Sequence, residues 1–179
     1  MSSRRNLLLA AAVVLVAIAG PLVYATYVGT HFRNFRIVKD GVLYRSGQLT
    51  EHGLDSVVKE YGIRTVVSLR ASRDPNRPHP DLFEDEYCKA NGLRFVRLIP
   101  KVWSVHDGKV PADENVSKFL DVMNDQANHP VLIHCFAGIH RTGTFCSIFR
   151  MEYQGWSGVE ALTELRSLGY ENVDDRSEE

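Results

Sequence analysis

The stretch from Val131 to Thr144 constrains the chain most. An apolar run, Val131-Leu-Ile-His134, stops at Cys135, and after Arg141 the pattern resumes with the spacing of a helix. It reads as strand, loop, helix. Cys135 and Arg141 bracket Phe136, Ala137, Gly138, Ile139 and His140, a loop without an acid. A loop of this length can curl until successive backbone N–H groups point inward, above the positive end of the following helix. Such a concavity suits a dianion. The same field favours the thiolate of a cysteine placed there, which makes Cys135 a candidate nucleophile. Arg141 offers two parallel N–H donors in a fork that lysine cannot reproduce. Thr142 supplies a hydroxyl beside the sulfur, and Gly138 sits mid-loop, where a positive φ or a close approach is easiest without a β-carbon.

His134-Cys135, Arg141 and Thr142 resemble the signature of the cysteine-dependent tyrosine and dual-specificity phosphatases, which is His-Cys, five residues, Arg, then Ser or Thr. Leu43-Tyr-Arg-Ser-Gly-Gln48 and Arg64-Thr-Val-Val-Ser-Leu-Arg70 extend the resemblance more weakly, toward the compact atypical dual-specificity branch, over residues 35–170. The resemblance implies an α/β fold, a central mostly parallel sheet flanked by helices with the cysteine loop between a strand and a helix. It implies a phosphomonoester hydrolase working through a cysteinyl-phosphate at Cys135, with Arg141 binding the phosphoryl group and Phe136, Ala137, Gly138, Ile139 and His140 lining the substrate. It implies no metal and no cofactor. His134 is expected to orient the loop from behind. The family keeps an acid on a loop upstream of the nucleophile, and Asp107 in the irregular stretch 100–111 is the candidate. Asp113, in the first turn of a predicted helix, is its rival.

The loop carries Phe136 and Ile139 where inositol-phosphate phosphatases of this superfamily commonly place lysines. A phosphorylated protein is therefore the expected substrate. Arg70, Arg73 and Arg77 could restore positive charge from a neighbouring loop, which keeps an inositol phosphate or phosphoinositide as the alternative. A phosphate-binding pseudophosphatase is the non-enzymatic alternative, and a rhodanese-type sulfurtransferase fits poorly because its loop is typically one residue shorter.

With 179 residues the chain has room for one catalytic domain. A net charge of −1 provides no global field for nucleic acid. Cys88, Cys135 and Cys146 are odd in number and lack paired spacing, which argues against a disulfide framework and against a zinc site. Residues 1–6 form a basic tail with Arg4 and Arg5, and 7–28 is an uncharged run that spans roughly 33 Å as a helix, enough to cross a hydrocarbon core. It reads as a membrane anchor. The rival reading is a cleaved signal peptide, with Val23-Tyr24-Ala25 near the cut and Gly20-Pro21 breaking the helix before it. The anchor predicts a single-pass protein that meets the membrane through this helix, with a catalytic domain of 29–172 outside the cytoplasm; a monomer and a disordered acidic tail of 173–179 are expected besides.

Between these landmarks the pattern alternates. Asp40-Gly41 signals a hairpin turn, Thr50 caps a helix that Gly62 ends, and Ile63 to Leu69 is a buried parallel strand with Arg70 at its C-terminal end. Residues 71–80, with three prolines, form a loop. Leu82 to Ala90 is helical and Leu93 to Ile99 is a strand. A helix from Pro111 packs Val116, Phe119, Leu120 and Met123, the Arg141 to Met151 helix packs Phe145, Ile148 and Phe149, and a last helix from Ser157 or Gly158 presents Val159, Leu162, Leu165 and Leu168.

Overall fold

The computed structural model describes residues 2–72, 74, 76–101 and 110–170. Helix α1 (Ser2–His31) contains the whole uncharged run and passes through Pro21 without ending. Gly20-Pro21 therefore does not break it. Its apolar side chains, Leu8, Val13, Val16 and Leu22 among them, lie exposed. By length and composition it is the one helix among the described residues that could cross a membrane.

Strands β1 (Arg36–Lys39) and β2 (Leu43–Ser46) form the antiparallel hairpin. Gly41 takes φ 68° at the turn. The Tyr44 hydroxyl ties that turn down, donating to Asp40 Oδ1 at 2.6 Å and accepting from the Gly41 N–H at 2.9 Å. Helix α2 (Glu51–Tyr61) starts where the Thr50 side chain accepts from the Gly53 N–H, and it stops at left-handed Gly62. Then follow β3 (Thr65–Ser68), α3 (Leu82–Ala90), β4 (Arg94–Arg97), α4 (Asp113–Asn124), β5 (Val131–His134), α5 (His140–Gln154) and α6 (Gly158–Ser167).

The sheet order is β1-β2-β5-β3-β4, with β2, β5, β3 and β4 parallel and β1 antiparallel at the edge. Every residue of β2, β3 and β5 is buried, as strands covered on both faces require. Alternation divides the core. Leu43, Val67, Val131 and Ile133 pack with Phe119 and Met123 of α4 and Phe145 and Phe149 of α5. Tyr44, Val66 and Leu132 face the other way, onto Leu54 and Val57 of α2 and Cys88 of α3. β5 is the middle strand, so its C-terminal end opens at the centre of the sheet edge, where open α/β sheets bind ligands.

The structure selects among the apolar positions of the last helix and corrects the core face expected for α5. The buried face of α6 is Ala161 and Leu165, while Val159 and Leu162 stay exposed at 77% and 40%. The helix docks on α5 through Gly143, where a β-carbon would lie 2.3 Å from Leu165 Cδ1. That single close approach selects the 161/165 side and leaves the rest of the apolar stripe outside. In α5, Ile148 is half-buried and the core positions are Phe145, Cys146 and Phe149.

Candidate active site

The segment from Cys135 to Ile139 leaves the end of β5 and enters α5 at His140, and each of its carbonyls is engaged. The Phe136 carbonyl accepts from the Gln48 backbone N–H at 2.9 Å. Ala137 O accepts from Asn34 Nδ2 at 2.8 Å. Gly138 O accepts from an Arg45 guanidinium nitrogen at 2.7 Å. Ile139 O accepts from the Gly143 N–H at 2.8 Å within the helix. His134 Nδ1 lies 3.4 Å from Cys135 O and must be the donor there, since a carbonyl only accepts. A trans peptide points its N–H opposite its C=O. Carbonyls drawn toward the surrounding elements therefore turn the loop amides the other way, into a common hollow. The Gly138 N–H donates to Cys135 Sγ at 3.2 Å, and the cysteine is 5% exposed. Gly138 has φ 75°, and a β-carbon on it would lie 2.3 Å from Gly47 N and 2.5 Å from Ser46 C. Only glycine fits there.

Behind the loop runs a chain of polar groups. His134 Nε2 is 3.0 Å from Glu84 Oε2, with both residues 1% exposed. The contact is close, but its angle falls short of a full hydrogen bond. Glu84 Oε1 accepts from Gln48 Nε2 at 2.8 Å, and Gln48 Oε1 accepts from the Arg70 guanidinium. Arg70 thus hangs from β3 over the loop, with its guanidinium carbon 5.2 Å from the ring centroid of the exposed Phe136. Burial lowers the Arg70 pKa, while Glu84, Asp81 and Cys135 draw it back up.

Arg141, the second residue of α5, is half-buried and reaches the Leu69 carbonyl at 3.5 Å. Leu69 N–H donates to His134 O, so the ends of β3 and β5 stay together beneath it. Thr142 is fully buried, and among the described residues its hydroxyl has no hydrogen-bond partner. The His140 ring sits 5.2 Å from that of Tyr170. Asp107 and Arg73 lie outside the described residues. Asp113 occupies the first turn of α4 and is exposed. Arg77 is paired with Asp74 at 3.5 Å.

The chain has two further cysteines, Cys88 on α3 and Cys146 on α5. Burial pushes the Cys88 thiol up to about 12 and the Cys146 thiol up to about 11. Both are expected to be inert, because the thiolate is the reactive form. Iodoacetamide applied to the native protein at pH 7 should modify Cys135 alone, read by peptide mass spectrometry. Labelling of Cys88 or Cys146 at a comparable rate would contradict this picture.

A family profile described as DSP-PTPase phosphatase fused to NAD+ kinase matches residues 30–178. The chain belongs to this DSP-PTPase family. Its α/β architecture is that of such phosphatases. Inositol diphosphatase DSP1 of Oryza sativa subsp. japonica is 33% identical over 151 residues, covering 75% of this chain and 62% of that protein. Dual specificity protein phosphatase TpbA of Pseudomonas aeruginosa is 34% identical over 70 residues, covering 39% of this chain and 32% of that protein. The chain spans less than two thirds of the length of these curated relatives. Among solved structures, the core catalytic domain of the PP-IP phosphatase SIW14 from S. cerevisiae, in complex with citrate, superposes with a TM-score of 0.60. It is 24% identical and covers 78% of each chain, a likeness of fold.

Sequence reasoning about this DSP-PTPase chain assigned no role to Asn34, Arg45, Gln48 and Glu84, although Arg45 and Gln48 lie in a stretch that carries the resemblance. Arg45 left a signal, since a charged residue interrupts a strand whose neighbours read as buried. Glu84 left another, because it lies four residues before Cys88 on the inward face of α3. Glu84→Ala would strand Gln48 Nε2 and His134 Nε2 without a partner in the interior. It should destabilise the fold by about 3 kcal/mol. Urea unfolding followed by tryptophan fluorescence, with unchanged m, reads this, and a midpoint equal to that of the unsubstituted protein would show that the carboxylate is dispensable.

Proposed function

We propose that this chain hydrolyses phosphomonoesters of proteins, with tyrosine or dual specificity, through a cysteinyl-phosphate on Cys135. The observation that carries the reading is the loop in which the carbonyls of Phe136, Ala137 and Gly138 are engaged from outside by Gln48, Asn34 and Arg45, which turns the following amides inward, while the Gly138 N–H meets Cys135 Sγ. Donors fixed in advance stabilise charge on equatorial oxygens without reorganising. Cys135 attacks phosphorus in line, the S–P bond forms, and the P–O bond to the leaving group breaks. The departing oxygen takes a proton from Asp107. Water then attacks phosphorus, giving a proton to Asp107, and the S–P bond breaks to return the thiolate and inorganic phosphate. Arg141 holds two phosphoryl oxygens throughout, and His134 fixes the first peptide of the loop. Helix α1 anchors the domain to a membrane, facing away from the cytoplasm.

Inositol phosphates are the second reading, supported by the rice relative's name and by the Arg70 guanidinium over Phe136. A panel of kcat/KM values for the full chain in detergent separates the two, using phosphotyrosine peptide, phosphoserine peptide, inositol polyphosphate and para-nitrophenyl phosphate, with and without EDTA. The phosphopeptides are expected to lead, with no effect of EDTA. A preference for inositol polyphosphate would reverse the order of the readings, and failure to hydrolyse para-nitrophenyl phosphate would end both.

A further inference from the structure

Phe136 follows the nucleophile directly, is 54% exposed and carries two guanidinium groups. Arg70 approaches from the end of β3, and Arg33 approaches from the connection between α1 and β1, with its guanidinium carbon 4.7 Å from the ring centroid. Each attraction to the ring is weak at an exposed site, and two like charges sharing one ring repel each other. Arg70 is anchored by Gln48 and has Glu84 and Asp81 nearby. Among the described residues Arg33 has no acidic partner.

Arg33 is nevertheless held in place. Its carbonyl accepts from the Gly47 N–H at 2.7 Å. Its stem covers Gly47 so closely that a β-carbon there would lie 2.7 Å from Arg33 Cγ and Cδ. The next residue, Asn34, takes φ 49°, a left-handed conformation rare outside glycine, and from it reaches the Ala137 carbonyl. An unpaired cation fixed beside a second cation, at the mouth of an anion-binding loop, gains most when another anion lies between them.

We propose that Arg33 and Arg70, backed by Phe136, form a subsite for a second anionic group of the substrate, a carboxylate or a further phosphate close to the scissile one. The proposal rests on Cys135 being the phosphatase centre and names what that centre selects. It makes Arg33, supplied by the residues just after the membrane-type helix, a specificity residue.

The test measures equilibrium binding to the full chain carrying Cys135→Ser, so that nothing turns over. Two matched pairs serve as probes, an inositol monophosphate against a vicinal bisphosphate, and a phosphotyrosine peptide flanked by alanine against one flanked by glutamate. The unsubstituted Arg33 should favour the more anionic member of at least one pair. Arg33→Met keeps the stem on Gly47 and Phe136 and removes the charge, and it should cut that preference about tenfold. Arg33→Lys should retain more of it. Response of only the first pair identifies the second anion as phosphate, and response of only the second identifies it as carboxylate. Equal preferences with arginine and methionine in both pairs would overturn the subsite. Absence of para-nitrophenyl phosphate turnover by the unsubstituted chain would defeat the proposed function instead, and the binding comparison would still decide the role of Arg33.

Discussion

Cys135→Ser is expected to lower turnover of every phosphate ester by more than about 10⁴-fold while binding of inorganic phosphate or tungstate remains measurable. The serine would sit in the same hollow, below the same amides, so the anion site survives. It would lack a base to activate it. His134, the residue next to it, turns Nδ1 to the Cys135 carbonyl and Nε2 toward Glu84. Stopped assays with malachite green detection of phosphate and calorimetric titration of tungstate check the two halves. Turnover that persists in the serine variant would remove Cys135 from the chemistry.

Asp107→Asn should come next in size, a loss of roughly 10²–10⁴ in kcat on an alkyl phosphate, whose alkoxide cannot leave without a proton. On para-nitrophenyl phosphate, whose leaving group needs little help, the formation of cysteinyl-phosphate should be spared. Asp113 competes for this role on sequence grounds alone. In the structure it is an exposed acid in the first turn of α4, where it meets the positive end of the helix. Asp113→Asn should therefore cost about 0.3–1 kcal/mol of stability and leave the rate on both esters unchanged. Single-turnover kinetics on the two substrates distinguishes the assignments. Equal small effects at both positions would place the acid elsewhere.

Much of this architecture could be read from local signals. Asp40-Gly41, Thr50 and Gly62 end or turn elements through their own backbone preferences, and the buried runs at Val131 to Ile133 and Thr65 to Val67 leave a parallel sheet as the economical way to cover both faces. Cys135 and Arg141 stood out because their spacing is fixed by a contiguous loop. The residues that hold the loop did not, because Asn34, Arg45, Gln48 and Glu84 come to it across the fold, and no spacing in the sequence records a contact between distant segments. The buried side of helix α6 was left open for a related reason. Four apolar positions at helical spacing describe a wide stripe, and which part of it is buried was settled by one glycine on a neighbouring helix.

The engaged carbonyls have a consequence for the order in which the molecule is completed. The hydrogen bonds from Arg45 to Gly138 and from Asn34 to Ala137 close separations of 93 and 103 residues. Among the described strands β5 is the last to be synthesised, yet it occupies the middle of the sheet between β2 and β3. Until it inserts, the hairpin and the β3–β4 pair have no strand to join them, and both present unpaired backbone edges. Contacts of such long range close slowly. The hollow beside Cys135 therefore assembles in the final stage of folding, and the appearance of catalytic activity during refolding should lag behind the recovery of helix signal, serving as a clock for insertion of the central strand.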